Sequence, residues 1–113
     1  MTSTTVSNAE RIRALNDAFR RTFVGGMVLI TAGVEAMPGE QRRSLLQKVR
    51  AFDAFTDDND PHGEHDFGAI DEDGVRCFWK IDCYDRATEM GSPDPADPAV
   101  TTRVLTVMRA DEY

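Results

Sequence analysis

One ten-residue stretch has the clear alternation of a strand, and it reads Val75-Arg76-Cys77-Phe78-Trp79-Lys80-Ile81-Asp82-Cys83-Tyr84. Every odd position is apolar, whereas the even positions are a mixture of charged and aromatic side chains. Successive side chains of a strand point to opposite faces, so this alternation predicts a β-strand with one face in the core. Trp79 lies on the core face, where a lone tryptophan usually packs, with ligand stacking as the alternative. Phe78 and Tyr84 lie on the wetter face and are the better interface candidates.

A hairpin is predicted immediately before this strand. Asp71-Glu72-Asp73-Gly74 is typical of a tight turn in which Gly74 takes the positive φ, so residues 67–70 are predicted as a short partner strand. Another strand is predicted over residues 101–109, whose apolar residues Val104, Leu105, Val107 and Met108 lie on both sides. The stretch 85–100 between them is predicted to be a loop because it contains Gly91, Pro93, Pro95 and Pro98.

The first half of the chain predicts two amphipathic helices around one strand. One helix begins at a cap on Ser7 or Asn8 and reaches about Phe23. The other begins at Pro38 and reaches about Phe52 or Phe55. Residues 27–32 are apolar at nearly every position, which indicates a strand buried on both faces and therefore a central one.

This order predicts an α+β fold with two layers. Two amphipathic helices cover one face of a four-stranded antiparallel or mixed sheet, in the order helix, strand, helix and then three strands. A length of 113 residues fits one domain. We predict a disordered tail over residues 1–7 and a single α+β domain over residues 8–113.

The net charge of −7 divides unevenly along the chain. Residues 1–52 have eight basic and four acidic side chains, whereas residues 53–113 have five basic and sixteen acidic ones. This asymmetry indicates two faces with different partners, or two halves that attract one another. The acidic half is able to imitate a nucleic-acid backbone, although solubility is the simpler explanation.

Localisation is predicted to be cytoplasmic. No apolar run is long enough for a membrane helix, and the N-terminus lacks the basic and apolar regions of a secretion signal. Cys77 and Cys83 lie on one face of the predicted strand, about 20 Å apart at ~3.3 Å per residue. That separation is too great for a disulfide, and free thiols agree with a reducing compartment.

The connection 53–66 is the main candidate for chemistry. Its ten-residue section 57–66 contains two imidazoles among carboxylates, and the candidate metal ligands are Asp60, His62 and His65. The spacing matches neither a helical zinc motif nor a calcium loop, whose twelfth position would be Ala69. We therefore predict no cofactor and an ordered loop whose Asp and His side chains bind backbone amides, with a divalent metal as the alternative.

Whether the chain is an enzyme is left open by the sequence. The only two histidines, both in this connection, are the groups suited to acid–base chemistry near neutral pH. The catalytic candidates are His62, His65, Asp66 and Asp82. A hydrolase requires these four and Asp60 to converge in one cleft. The chain has no phosphate-binding glycine loop and no serine nucleophile motif.

The two predicted helices have basic outer faces. If the helices pack side by side, these residues form a patch for nucleic-acid phosphates: Arg11, Arg13, Arg20, Arg21, Arg42, Arg43, Lys48 and Arg50. The acidic composition of the whole chain favours a solvated face instead.

Several motifs resemble one known family. They are Asn59-Asp60-Pro61-His62-Gly63-Glu64-His65-Asp66-Phe67-Gly68, Phe78-Trp79-Lys80-Ile81-Asp82, Asp94-Pro95-Ala96-Asp97-Pro98 and Thr102-Arg103-Val104-Leu105-Thr106. From about Arg11 to Tyr113 the chain is similar to the bacterial domain-of-unknown-function family 3768. It departs from that family at Cys83, where a tyrosine is expected, which weakens any role of Cys83 as a nucleophile. The resemblance implies no activity, but it implies an accessory role, because members occur on plasmids and other mobile elements.

We therefore predict a small acidic binding domain, an accessory factor of a mobile element that acts on a macromolecule, including the anti-defence type. The partner is expected to be a protein in preference to nucleic acid, with no membrane involved and the oligomeric state left open. The first alternative is a small metal-dependent hydrolase or nuclease with its site in 57–66. The second is nucleic-acid binding through the helices. The binding candidates are Asp60, His62, Glu64, His65, Asp66, Trp79, Lys80, Asp82 and Tyr84.

Overall fold

The computed structural model describes residues 6–113 and has an α+β fold, as predicted. Residues 1–5 of the predicted tail lie outside the described residues. Three helices and four strands occur in the order α1 (Asn8–Thr22), β1 (Met27–Ile30), α2 (Ala32–Glu35), α3 (Gly39–Ala51), β2 (Phe67–Glu72), β3 (Val75–Tyr84) and β4 (Thr102–Arg109). Two single 3-10 turns lie at Pro98–Val100 and Ala110–Glu112.

The strands form one mixed sheet in the order β1-β4-β3-β2. Strand β1 is parallel to β4, whereas the β4–β3 and β3–β2 pairs are antiparallel. The prediction that residues 27–32 form a central strand is wrong, because β1 lies at the sheet edge and ends at Ile30. Met27 and Leu29 are 47% and 46% exposed. The strand with buried residues on both faces is β4, which lies between β1 and β3.

Strand β3 has the predicted bounds, and its hairpin turn is tighter than predicted. Only Asp73 and Gly74 separate β2 from β3, with φ of 49° and 83°. Glu72 therefore belongs to β2 and is buried. Its carboxylate binds Lys48 Nζ at 3.0 Å and accepts the Ser44 hydroxyl at 2.8 Å. Strand β2 extends beyond the predicted end at residue 70 because Asp71 and Glu72 continue the pairing with Arg76 and Val75 of β3.

The core lies on the face formed by the odd residues of β3, as the alternation predicts. Cys77, Trp79 and Ile81 are buried there together with Leu105 and Val107 of β4. The helices add further buried residues to the same cluster, namely Phe19, Val34, Leu45 and Val49. The two free cysteines agree with the predicted absence of a bridge between them.

The short helix α2 was not predicted, and it depends on a distant residue. The Glu112 carboxylate accepts the Thr31 hydroxyl at 2.7 Å and the backbone N–H of Gly33 at 2.9 Å. These contacts hold the N-terminal end of α2 against the end of the chain. The other helices follow the prediction, with Ser7 capping α1 and α3 ending at Ala51.

No helix within residues 6–113 has both the length and the apolar character needed to cross a membrane.

Candidate functional site

The loop 52–66 is fastened to α1 by His65. The backbone of His65 has a φ of 53°, and its ring stacks on Phe55 with 3.7 Å between the ring centroids. Its Nδ1 lies 2.9 Å from Asp17 Oδ1, and its Nε2 lies 3.5 Å from Asp60 Oδ2. Asp60 also accepts the backbone N–H of His65 at 3.1 Å. Asp17, Phe55, Asp60 and His65 are called the His65 cluster below.

Both ring nitrogens of His65 thus face carboxylates of the same chain. Burial raises the pKa of Asp17, but hydrogen bonds from His65 and Arg20 outweigh burial and hold that pKa below its ordinary value. Asp17 is therefore ionised at neutral pH. Because an ionised carboxylate only accepts hydrogen bonds, Nδ1 of His65 is the protonated nitrogen that donates to Asp17.

Arg20 lies beneath the His65 cluster and is only 1% exposed. Its guanidinium donates to the carbonyls of Val49 and Phe52 and to the Asp17 carboxylate, at 2.9–3.1 Å. It also lies 5.1 Å from the ring centroid of Trp79. The prediction that Arg20 belongs to a solvent-facing patch is wrong, because these contacts join α1 to the end of α3.

Asn16 joins the same helix to two loops. Its side-chain amide donates to the carbonyl of Glu64 at 2.9 Å, and its oxygen accepts from Arg103 Nε at 2.9 Å. Arg103 also donates to the carbonyl of Pro95. Asn16 and Arg103 are both buried, and burial lowers the pKa of Arg103. The loop 52–66 and the segment 85–100 are therefore held by one buried polar network.

Three of the candidate binding residues are carboxylates that lie together beside this network. Glu64, Asp66 and Asp82 line a cavity of about 210 Å³ that also touches Asn16 and Cys83. Burial raises the pKa of Glu64 and of Asp66, and their carboxylate neighbours raise both further. Ionised oxygens at this position therefore repel one another.

The residues required for a hydrolase do not all line one cavity. Asp60 and His65 contact each other, whereas Asp66 and Asp82 line a cavity that neither His62 nor His65 lines. His62 is exposed. Within residues 6–113, no three His, Cys, Asp or Glu side chains are arranged to hold a metal ion.

A larger groove lies on the sheet face formed by the even residues of β3. Its volume is about 650 Å³, and β1, β3, β4 and the C-terminal turn supply most of its lining. We call it the open-face groove, and its lining is Met27, Leu29, Thr31, Lys80, Asp82, Tyr84, Thr88, Val104, Thr106, Met108, Glu112 and Tyr113. An aromatic group continues this surface, with Phe67, Phe78 and Tyr113 centroids 5.2–6.2 Å apart.

Trp79 is fully buried and faces away from this groove. Its ring makes edge contacts with Phe52 and Phe55, at centroid distances of 5.5 and 6.1 Å. Its indole nitrogen has no hydrogen-bond partner within the described residues. The structure therefore places this binding candidate in the core.

Comparison with known proteins identifies the family. A model described as "Protein of unknown function (DUF3768)" matches residues 30–112. The chain belongs to this family. The DUF3768 match includes every binding candidate from Asp60 to Tyr84, but it begins after α1 and so is shorter than the predicted resemblance. No curated protein and no solved structure matches the chain. The function must therefore be inferred from geometry.

Sequence reasoning missed four residues of the buried network, which are Asn16, Asp17, Arg20 and Arg103. A signal for two of them was present. Asn16 lies four residues after Ile12 and three before Phe19, and Arg20 lies four residues after Asn16, so both share the apolar stripe of α1. Polar side chains on such a stripe are buried and need partners, which indicates a buried hydrogen-bond network.

Proposed function

We propose that this DUF3768 protein is a binding domain that holds a protein partner in the open-face groove. The single observation that supports this is the exposure of apolar side chains there. Met27 and Leu29 are close to half exposed, beside Met108 and Tyr84 in the same groove. Met27 and Leu29 lie on the sheet face opposite the core, so their exposed side chains leave apolar surface available to a partner.

The chemistry of the groove favours a protein over a nucleic acid. Among the described residues, Lys80 is the only cation in the lining of this groove, and it pairs with Asp82 at 2.9 Å. The Glu112 carboxylate adds negative charge nearby. Phosphates would therefore meet no unpaired cation. Methionine and tyrosine side chains, by contrast, are typical of the buried centre of protein interfaces.

The free edge of β1 offers a second means of recognition. This strand pairs with β4 on one side only, so half of its peptide groups face away from the sheet. Its sequence Met27-Val28-Leu29-Ile30 contains no charge and no proline, the features that usually block an edge. An extended segment of the partner is therefore able to continue the sheet and place apolar side chains in the groove.

The hydrolase alternative has no comparable support. His65 Nδ1 is hydrogen-bonded to Asp17, and within residues 6–113 no three His, Cys, Asp or Glu side chains are arranged to hold a metal ion. An accessory role on mobile elements is compatible with partner binding, and identifying the partner would test that role.

The test compares two lysine substitutions of exposed aliphatic residues. Leu29→Lys places a charge in the groove, whereas Val24→Lys changes a residue that is 75% exposed outside it. Both variants and the wild type are used for affinity capture, and the captured protein is then purified for titration. We expect Leu29→Lys to weaken binding at least tenfold, about 1.4 kcal/mol, and Val24→Lys to bind like wild type. Equal binding by all three proteins, with equal melting temperatures, contradicts the proposal.

A further inference from the structure

A second groove lies between the end of α1 and the outer side of α3. Its volume is about 690 Å³. Its lining consists of Arg21, Phe23, Arg43, Leu46, Gln47, Arg50 and Ala51, and we call it the arginine groove. Within residues 6–113 this lining has three arginines and no carboxylate, although the chain has a net charge of −7. The groove therefore concentrates positive charge on a protein that is otherwise acidic.

Arg50 is held in position by its own chain. Its Nε donates to the backbone carbonyl of Arg21 at 2.9 Å, and its guanidinium carbon lies 5.5 Å from the ring centroid of Phe23. Its two terminal nitrogens have no hydrogen-bond partner within residues 6–113. A guanidinium that is already fixed loses little conformational freedom when it binds an anion, which favours binding.

The positive charges of all three arginines are at most weakly compensated by carboxylates of the described residues. Among the described residues, no carboxylate lies within 4.0 Å of the Arg43 or Arg50 guanidinium. Arg21 is 64% exposed and reaches Asp17 only at 4.0 Å. Arginine binds phosphate oxygens through two parallel hydrogen bonds, so three arginines suit a ligand with more than one phosphate oxygen to offer.

The rest of the lining is apolar or neutral. Phe23 and Leu46 are partly buried and pack against the core, and Ala51 and Gln47 complete the surface. The volume falls in the range of about 300–1,000 Å³ that is usual for small-molecule sites. A ligand with a flat apolar part and a charged phosphate part matches both halves of this lining.

We propose that the arginine groove binds a nucleotide, with its phosphates on the three arginines and its base against Leu46 and Phe23. This site is independent of the open-face groove, because the two share no lining residue. The same nucleotide unit is available from a free nucleoside diphosphate or from a single-stranded nucleic acid. The experiment therefore includes both sources.

The probe is ADP, titrated into the full chain by calorimetry, with adenosine and a single-stranded oligonucleotide as comparison ligands. Arg43→Glu removes one cation from the groove, whereas Arg11→Glu makes the same charge change at an exposed residue outside it. Arg43 is exposed and makes no hydrogen bond within the described residues, so this variant is expected to fold. Thermal melts of all the variants check that expectation.

We expect ADP to bind and adenosine not to, with an ADP affinity that falls as salt is added. Arg43→Glu should weaken ADP binding at least tenfold, and Arg11→Glu less than twofold. An oligonucleotide that binds more tightly than ADP, with the same dependence on Arg43, also supports the site and identifies nucleic acid as the source. The proposal is overturned if neither ADP nor the oligonucleotide binds at millimolar concentration, or if adenosine binds as well as ADP. It is also overturned if Arg43→Glu and Arg11→Glu weaken binding equally.

Discussion

Asp17 holds the loop 52–66 to α1, and its replacement by asparagine gives a measurable loss of stability. Its carboxylate accepts from Arg20 Nη1 and from His65 Nδ1, each at 2.9 Å. Asparagine keeps one acceptor oxygen but loses the charge, so roughly one charged hydrogen bond is lost, which contributes about 1.5–3 kcal/mol. We expect the free energy of unfolding to fall by about 2 kcal/mol. For a domain of this size, Tm should fall by about 8 °C.

The same contacts make this loss depend on pH. Burial raises the pKa of Asp17, but His65 and Arg20 bring it below its ordinary value in the folded protein. The unfolded chain therefore binds the proton more readily, and Asp17 stabilises the fold above the unfolded pKa of about 4. That stabilisation is lost as the pH falls through the folded pKa. The difference between wild type and Asp17→Asn should thus be full near pH 7 and shrink below about pH 4.

Urea unfolding followed by the fluorescence of Trp79 measures both effects. Trp79 is the only tryptophan of the chain and is fully buried. Asp57→Asn is the matched control, because Asp57 is an exposed carboxylate of the same loop and should change stability by less than about 0.5 kcal/mol. An Asp17→Asn variant as stable as this control near pH 7 would show that the Asp17 contacts do not stabilise the fold. The expected stabilisation is refuted in that case. It is also refuted if the loss is as large near pH 3 as near pH 7.

Three further predictions concern the core and the carboxylate cavity. Asp66→Asn should raise Tm near neutral pH, because burial raises the pKa of Asp66. The gain should vanish as the pH falls through that raised pKa, and a lower Tm near neutral pH would contradict this. Gly68→Ala should cost about 1–3 kcal/mol in urea unfolding, because its Cβ falls 2.7 Å from Trp79 Cε2. Gly91→Ala, which meets nothing within 4 Å, should cost little, and equal losses would argue against this packing. Cys77 should react with maleimide only after urea unfolds the chain, because its side chain is buried and burial raises the pKa of its thiol. Rapid labelling of the folded protein would contradict this burial.

The elements predicted correctly are those with a strong local signal. The alternation of residues 75–84 predicted β3 with its bounds and its core face, and Gly74 marked the turn. Ser7 marked the start of α1. In each case, residues close in sequence determine the backbone conformation, so no distant partner had to be known.

The errors in the fold arise where distant residues decide. The four apolar residues of β1 do not indicate whether both faces of this strand are covered. β1 is an edge strand because β4 is its one neighbour in the sheet, and the sequence of β1 does not show that pairing. Helix α2 is held by Glu112, which is 79 residues from Gly33. No local pattern at residues 32–35 could have predicted that contact.

The candidate site was predicted only in part, because some of its residues come from distant parts of the chain. Section 57–66 supplied His65, Asp60, Glu64 and Asp66, and an ordered loop was expected there. Asp17, which holds His65, lies 48 residues earlier on α1. Tyr84 was recognised as an interface candidate from its position on the wetter face, and it lines the open-face groove. The exposure of Met27 and Leu29, which gives that groove its character, follows from the strand order alone.

Photo-crosslinking from the middle of the open-face groove shows whether a protein partner binds there. Thr106 lies between Leu29 of β1 and Lys80 of β3 in the sheet register, so a photo-reactive residue at position 106 reports on any molecule bound there. The control position is 24, which is exposed and outside the groove. A partner held in the groove should give one dominant crosslinked protein from position 106 and none from position 24. Crosslinks from position 24 to the same protein, with none from position 106, would contradict binding in the groove.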